Sequence, residues 1–93
     1  MADPDSYSTK YYGVELVKKC VSVRYDVRFT VNNTLIRPGV FSNIIAAASC
    51  YNYWYRYFHA YEIIPLLNDL EYEMPPSEFI KYNTTAKQLY HLV

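Results

Sequence analysis

A chain of 93 residues holds one small core and leaves little room for a separate substrate domain. Nine basic residues balance nine acidic ones, which excludes a global field drawing the protein to nucleic acid or to an anionic membrane. The charges are nevertheless segregated: Lys10 to Arg56 holds seven basic residues against Glu15 and Asp26, whereas Glu62 to Glu78 holds five acids and no Lys or Arg.

Cys20 and Cys50 allow one disulfide at most, and the opening MADPDSYSTK is polar with no apolar leader core. Both thiols are therefore expected reduced and the protein cytoplasmic, a setting in which the triplets at Asn32 and Asn83 carry no glycan. No apolar run approaches the roughly 18 residues of a membrane helix, so no membrane partner is expected. Tyr, Asn, Ile and Lys together supply 29 residues, a bias that AT-rich genes favour and that many phages and viruses share.

Residues 1–10 are small and polar around Pro4, and read as a flexible tail ahead of a single α+β domain over 11–93. Residues 11–19, YYGVELVKK, fit a strand or a short helix. The strongest pattern follows: Val21, Val23, Tyr25, Val27, Phe29 and Val31 alternate with Ser22, Arg24, Asp26, Arg28 and Thr30, which predicts a strand with one wet face. Asn32-Asn33 reads as a two-residue turn because Asn tolerates positive φ, and Thr34–Arg37 reads as the returning strand, giving a hairpin over about 21–37.

Pro38-Gly39 punctuates, and a helix is expected over about 40–63, with Pro38 in its first turn or Ser42 as N-cap. Its second half is YNYWYRYFHAY, seven aromatics in eleven residues if His59 is set aside. At 100° per residue, Val40, Ile44, Ala47, Ala48, Tyr51, Trp54, Tyr55 and Phe58 form one apolar stripe. The alternative is a mostly β fold with 51–63 as a strand, since aromatics favour strands, but that reading mixes Trp54 and Phe58 with Asn52, Arg56 and Glu62. Pro65 ends the helix, a second short helix is expected over 66–74, Phe79–Tyr82 reads as a short strand, and the Thr85–Gln88 capping box opens a closing helix at 86–92.

On this helix Tyr51, Trp54, Tyr55 and Phe58 serve as core, and Tyr53, Tyr57 and Tyr61 form a second ridge at i, i+4, i+8 with Arg56 beside it. Either another part of the chain covers that ridge or it docks a partner, a use to which Tyr and Arg are well suited. Lys18, Lys19, Arg24 and Arg28 are the candidate nucleic-acid contacts, with phosphates neutralised and bases stacked on tyrosine, although Asp26 between the two arginines favours a salt-bridged strand face. Cys20, Cys50, His59 and His91 lack zinc-ligand spacing, no Cys–His pair has a nucleophile signature, and Gly13 and Gly39 alone make no phosphate loop. No metal, no cofactor and no catalytic activity are expected.

Residues 38–65, PGVFSNIIAAASCYNYWYRYFHAYEIIP, resemble the stretch of a small viral jelly-roll capsid protein in which a short helix leads into a strand ending at proline. The resemblance implies a strand where the aromatics lie and a self-assembling role. The residues themselves point instead to a non-catalytic protein-binding module, of the kind a phage or virus uses as an inhibitor or accessory factor against a host protein. A nucleic-acid binder and a self-assembling homo-oligomer are the alternatives.

Overall fold

The computed structural model describes residues 6–19 and 22–84. Four antiparallel strands run in chain order across one sheet: β1 (Ser6–Ser8), β2 (Val14–Lys19), β3 (Ser22–Val31) and β4 (Thr34–Phe41). A fifteen-residue helix, α1 (Ile44–Phe58), packs on one face, and the short helix α2 (Pro76–Phe79) packs against α1. The α+β reading holds, and the mostly β alternative, with the capsid-like strand over 51–63, is corrected: that stretch is helical to Phe58.

Each strand has a local cause. Gly13 turns the chain into β2 with φ +69°, where a side chain is strained. It also abuts the Tyr51 ring so closely that a Cβ would stand 2.2 Å from it. Ser6–Ser8, expected in the tail, instead pair with β2 as an edge strand. Asn32 and Asn33 both take positive φ, 50° and 66°, so the predicted two-residue turn closes β3 on β4 with Val31 opposite Thr34.

β4 runs four residues beyond Arg37, through Pro38-Gly39 to Phe41, where the sequence suggested a break. A bulge makes this possible. Between the pairs Val27–Gly39 and Phe29–Ile36, β3 spends one residue, Arg28, and β4 spends two, Arg37 and Pro38. A proline without an N–H is tolerated at such an irregularity.

The helix consequently starts at Ile44, not at 40, and its N-cap is Asn43, whose side chain accepts hydrogen bonds from the N–H groups of Ile45 (2.8 Å) and Ala46 (3.0 Å). Ala46, Ala47 and Ala48 are fully buried and let α1 lie close to the sheet. Val14, Val27, Phe41, Cys50, Tyr51, Met74 and Phe79 complete the core, with Tyr25, Phe29, Trp54 and Tyr55 among the residues packed at its margin. Of the predicted core stripe, Ile44, Ala47, Ala48, Tyr51, Trp54 and Tyr55 face the core as the helix period placed them, whereas Val40 belongs to β4. Phe29 is the hub on the sheet side: its ring lies 5.6 Å from Tyr51, 5.9 Å from Tyr55 and 6.0 Å from Phe58.

After Phe58 the chain departs from expectation. The helix stops five residues short of 63, and 66–74 is irregular, not helical. Phe79–Tyr82 is helical as well: α2 runs directly into a single 3₁₀ turn over Ile80–Tyr82. Asn83 then bridges to Phe41, and Thr84 donates its N–H to the Val40 carbonyl at 2.7 Å, fastening this end of the chain to β4. The closing helix expected at 86–92 lies outside the described residues, as do Cys20 and Val21.

Candidate functional site

A long irregular segment must place its backbone polar groups somewhere. In residues 59–75 the Asn68 N–H and carbonyl and the Met74 N–H find partners on one face of α1. Ser49, Asn52 and Arg56 lie at i, i+3 and i+7, and Ser49 and Asn52 are fully buried. The Ser49 hydroxyl accepts the Met74 N–H (2.9 Å). Asn52 Oδ1 accepts the Asn68 N–H (2.8 Å), and its Nδ2 donates to the Asn68 carbonyl (2.9 Å) and to Glu73 (3.2 Å). Asn68 passes the arrangement on: its side chain accepts the Tyr12 N–H and donates to the Tyr12 carbonyl.

Arg56 closes the stripe with a bidentate pair to Glu73, through Nη1 to Oε2 and Nη2 to Oε1. Those bonds hold the Glu73 carboxyl below its usual range against the opposing effect of burial. The side chain expected to anchor a partner is therefore committed within the molecule.

Two tyrosine hydroxyls then fix a shorter loop at the helix end. Tyr55 donates to Glu62 Oε1 (2.9 Å), and Tyr51, one turn earlier, donates to the Leu66 carbonyl (2.8 Å). Burial pushes both hydroxyls above the ordinary tyrosine range, and for Tyr55 the bond to Glu62 adds to it. His59 stacks on Tyr55 with centroids 4.1 Å apart, and its Nδ1 is buried without a hydrogen-bond partner. Between the two fixed points stand Ile63, 95% exposed, and Ile64, 88% exposed. Ile63 and Ile64 are the most exposed of the large hydrophobic side chains among the described residues.

The predicted ridge is divided. Tyr53 and Tyr57, 40% and 53% exposed, lie on the α1 flank turned from the sheet, whereas Tyr61, 77% exposed, lies beyond the helix end. Tyr53 also meets Phe79 across 6.1 Å.

Arg24 and Arg28 share a strand face, as alternation requires. Arg28 donates to the buried Asp26 carboxylate (2.9 Å) and lies 3.6 Å from Glu15, while Arg37, brought in by the bulge, donates to the same Asp26 oxygen (2.9 Å). Its own bond to Asp26 holds the Arg28 guanidinium more firmly charged. Arg24 Nη1 donates to the Val23 carbonyl, Lys18 is exposed, and the Lys19 side chain lies outside the described residues.

Cys50 is a free buried thiol whose proton burial holds on more tightly than usual. Among the described residues no group of three or more His, Cys, Asp or Glu could hold a metal ion, and no helix is long and apolar enough to cross a membrane. An open groove of about 350 Å³ is lined by Lys10, Tyr11, Ile45, Asp69, Leu70, Glu71 and Tyr72.

Sequence reasoning gave no role to Ile63 and Ile64, at and just beyond the end of the helix expected over about 40–63. A signal was present: two isoleucines directly before Pro65 at a helix boundary belong to no periodic stripe. Comparison of the chain with protein families, with curated proteins and with solved structures found no match.

Proposed function

We propose that this protein is a non-catalytic docking module that binds another protein through the loop at the C-terminal end of α1. The observation that carries the reading is the tethering of that loop by Tyr51 and Tyr55, with Ile63 and Ile64 exposed between the two hydrogen bonds. A loop already held in one shape loses little conformational freedom on binding, so more of the contact energy is available for affinity. Seating the two isoleucines in an apolar pocket contributes about 1.5–3 kcal/mol each. Tyr53, Tyr57 and Tyr61 add exposed apolar surface on the helix flank and beyond its end, and Arg56, paired with Glu73, serves the fold. A phage or viral inhibitor that occupies a host protein's surface is a use that suits this design and the composition.

The nucleic-acid alternative has less support. Arg28 and Arg37 share Asp26, which lowers the positive field that phosphates would meet.

The test is an affinity capture from the native host's lysate, with nuclease, using the wild-type protein and Ile63→Asp/Ile64→Asp as parallel baits. A stoichiometric protein held by the wild type and lost by the variant supports the reading. A partner retained equally by both contradicts it, and partners that vanish with nuclease and with Arg24→Glu move the function to nucleic acid.

A further inference from the structure

The groove of about 350 Å³ lies at the N-terminal end of α1, where Ile45 of the first helical turn, Tyr11 and residues 69–72 line it. About 20 Å of helix separates Ile45 from Phe58, so the groove is remote from the Ile63–Ile64 loop. A second hollow of about 430 Å³ shares Lys10, Tyr11 and Asp69 with it and continues along Tyr12 and Leu67. The two walls are clamped together. Asn68 accepts the Tyr12 N–H and donates to the Tyr12 carbonyl, and Asn52 holds Asn68 in turn. A groove fixed before its occupant arrives spends little affinity on ordering itself.

Its lining sets the occupant's charge. Of the five acids from Glu62 to Glu78, three are committed within the fold: Glu62 accepts from the Tyr55 hydroxyl, Glu73 from Arg56 and Glu78 from the Tyr72 hydroxyl. Asp69 and Glu71 are exposed and pair with no other described residue, and both line the groove. They flank Leu70, which packs against the core, so the segment turns its two carboxylates outward. Lys10 is the single cation in the lining, and its ammonium lies 5.2 Å from the centre of the Tyr11 ring. That ring face therefore already takes a cation, and two carboxylates against one ammonium leave the groove negative.

We propose that the groove receives an arginine side chain from an extended segment of a protein partner, with the guanidinium over Tyr11 and its N–H groups on Asp69 and Glu71. A guanidinium suits the lining better than an ammonium, because its flat face stacks on a ring while its five donors serve two carboxylates at once. Ile45 and Leu70 offer apolar contact to the methylene stem. Lys10 competes for the ring and repels the incoming charge, which restrains the affinity. The groove is independent of the Ile63–Ile64 loop, and its test does not require that loop to dock.

Amide spectra of nitrogen-labelled protein, titrated with end-blocked Gly-Arg-Gly, provide that test. The citrulline counterpart keeps the shape of the arginine and removes its charge. The arginine peptide should shift the Tyr11, Leu70 and Glu71 signals saturably while Ile63 and Ile64 hold still, and the citrulline peptide should shift none of them. Asp69→Asn/Glu71→Gln, at two exposed positions, should weaken binding several-fold. Lys10→Ala should tighten it several-fold, whereas Lys18→Ala, which removes the same charge from an exposed site on β2, should leave it unchanged.

An arginine peptide that gives no saturable shift overturns the site. Equal binding of the citrulline peptide overturns recognition by charge. Equal tightening by Lys10→Ala and Lys18→Ala overturns the groove in favour of diffuse attraction to the whole molecule.

Discussion

Asn52 on α1 and Asn68 in the irregular segment form a closed pair inside the protein: the Asn52 side-chain amide both accepts from the Asn68 N–H and donates to the Asn68 carbonyl. A side-chain amide here does what a neighbouring strand would do for an extended residue. It explains how a segment with so little secondary structure of its own stays closed over the helix.

Replacing Asn52 by Ala strands both backbone groups of Asn68 in a buried site. Each unsatisfied group costs about 1–3 kcal/mol, so a loss of about 2–6 kcal/mol is expected in denaturant unfolding. A change within about 0.5 kcal/mol would mean that the segment is not held in this way.

Gly13→Ala meets two obstacles, the positive φ and the Tyr51 ring 2.2 Å from the new Cβ. Strain of about 1–2 kcal/mol and overpacking of about 1–3 kcal/mol both oppose the change, so a clear loss of stability is expected. Thermal unfolding reads the result, with Ser8→Ala as a nearby control expected to be neutral.

Removing the loop tethers should loosen the loop and little else. In Tyr51→Phe/Tyr55→Phe the rings stay, and each lost hydrogen bond is worth about 0.5–1.5 kcal/mol. Amide exchange should accelerate over residues 62–67, with β3 near Val27 unchanged. Uniform acceleration across the molecule would show that the hydroxyls support the whole core instead.

The pH dependence has two limbs. Tyr51 and Tyr55 keep their protons above the ordinary tyrosine value of about 10, so above that pH the unfolded chain releases protons that the folded one retains. Their contribution is complete below about pH 10 and is lost as pH rises past it. Glu73 behaves oppositely: its carboxyl is depressed by Arg56, so its contribution is present above about pH 4.3 and lost as pH falls below that value. Urea midpoints against pH should show both falls, with the alkaline one shallower in Tyr51→Phe and the acid one shallower in Glu73→Gln.

The sequence showed what depends on short-range periodicity. Alternation from Val21 to Val31 located β3, Asn32-Asn33 located the turn, and the 3.6-residue period separated Tyr51, Tyr55 and Phe58 from Tyr53 and Tyr57. It hid what depends on partners distant along the chain. Ser49, Asn52 and Arg56 look like a solvent face, because polarity alone does not distinguish a residue facing water from one facing another segment's backbone. Pro38 looks like a break until the extra residue of the β4 bulge accommodates it. α1 ends at Phe58, well before Pro65, and the following residues bond back to Tyr51 and Tyr55, contacts that no local pattern announces.

The central claim is that Ile63 and Ile64 are the docking residues. It is tested most directly by methyl spectra of isoleucine-labelled protein titrated with the partner that the wild-type bait captures. The Ile63 and Ile64 methyl signals should shift or broaden in proportion to added partner, while Ile36, buried in the sheet, and Ile44 and Ile45, in the first turn of α1, hold still. Saturating partner that leaves the Ile63 and Ile64 signals in place would contradict the claim and send the search for the binding surface elsewhere on the molecule.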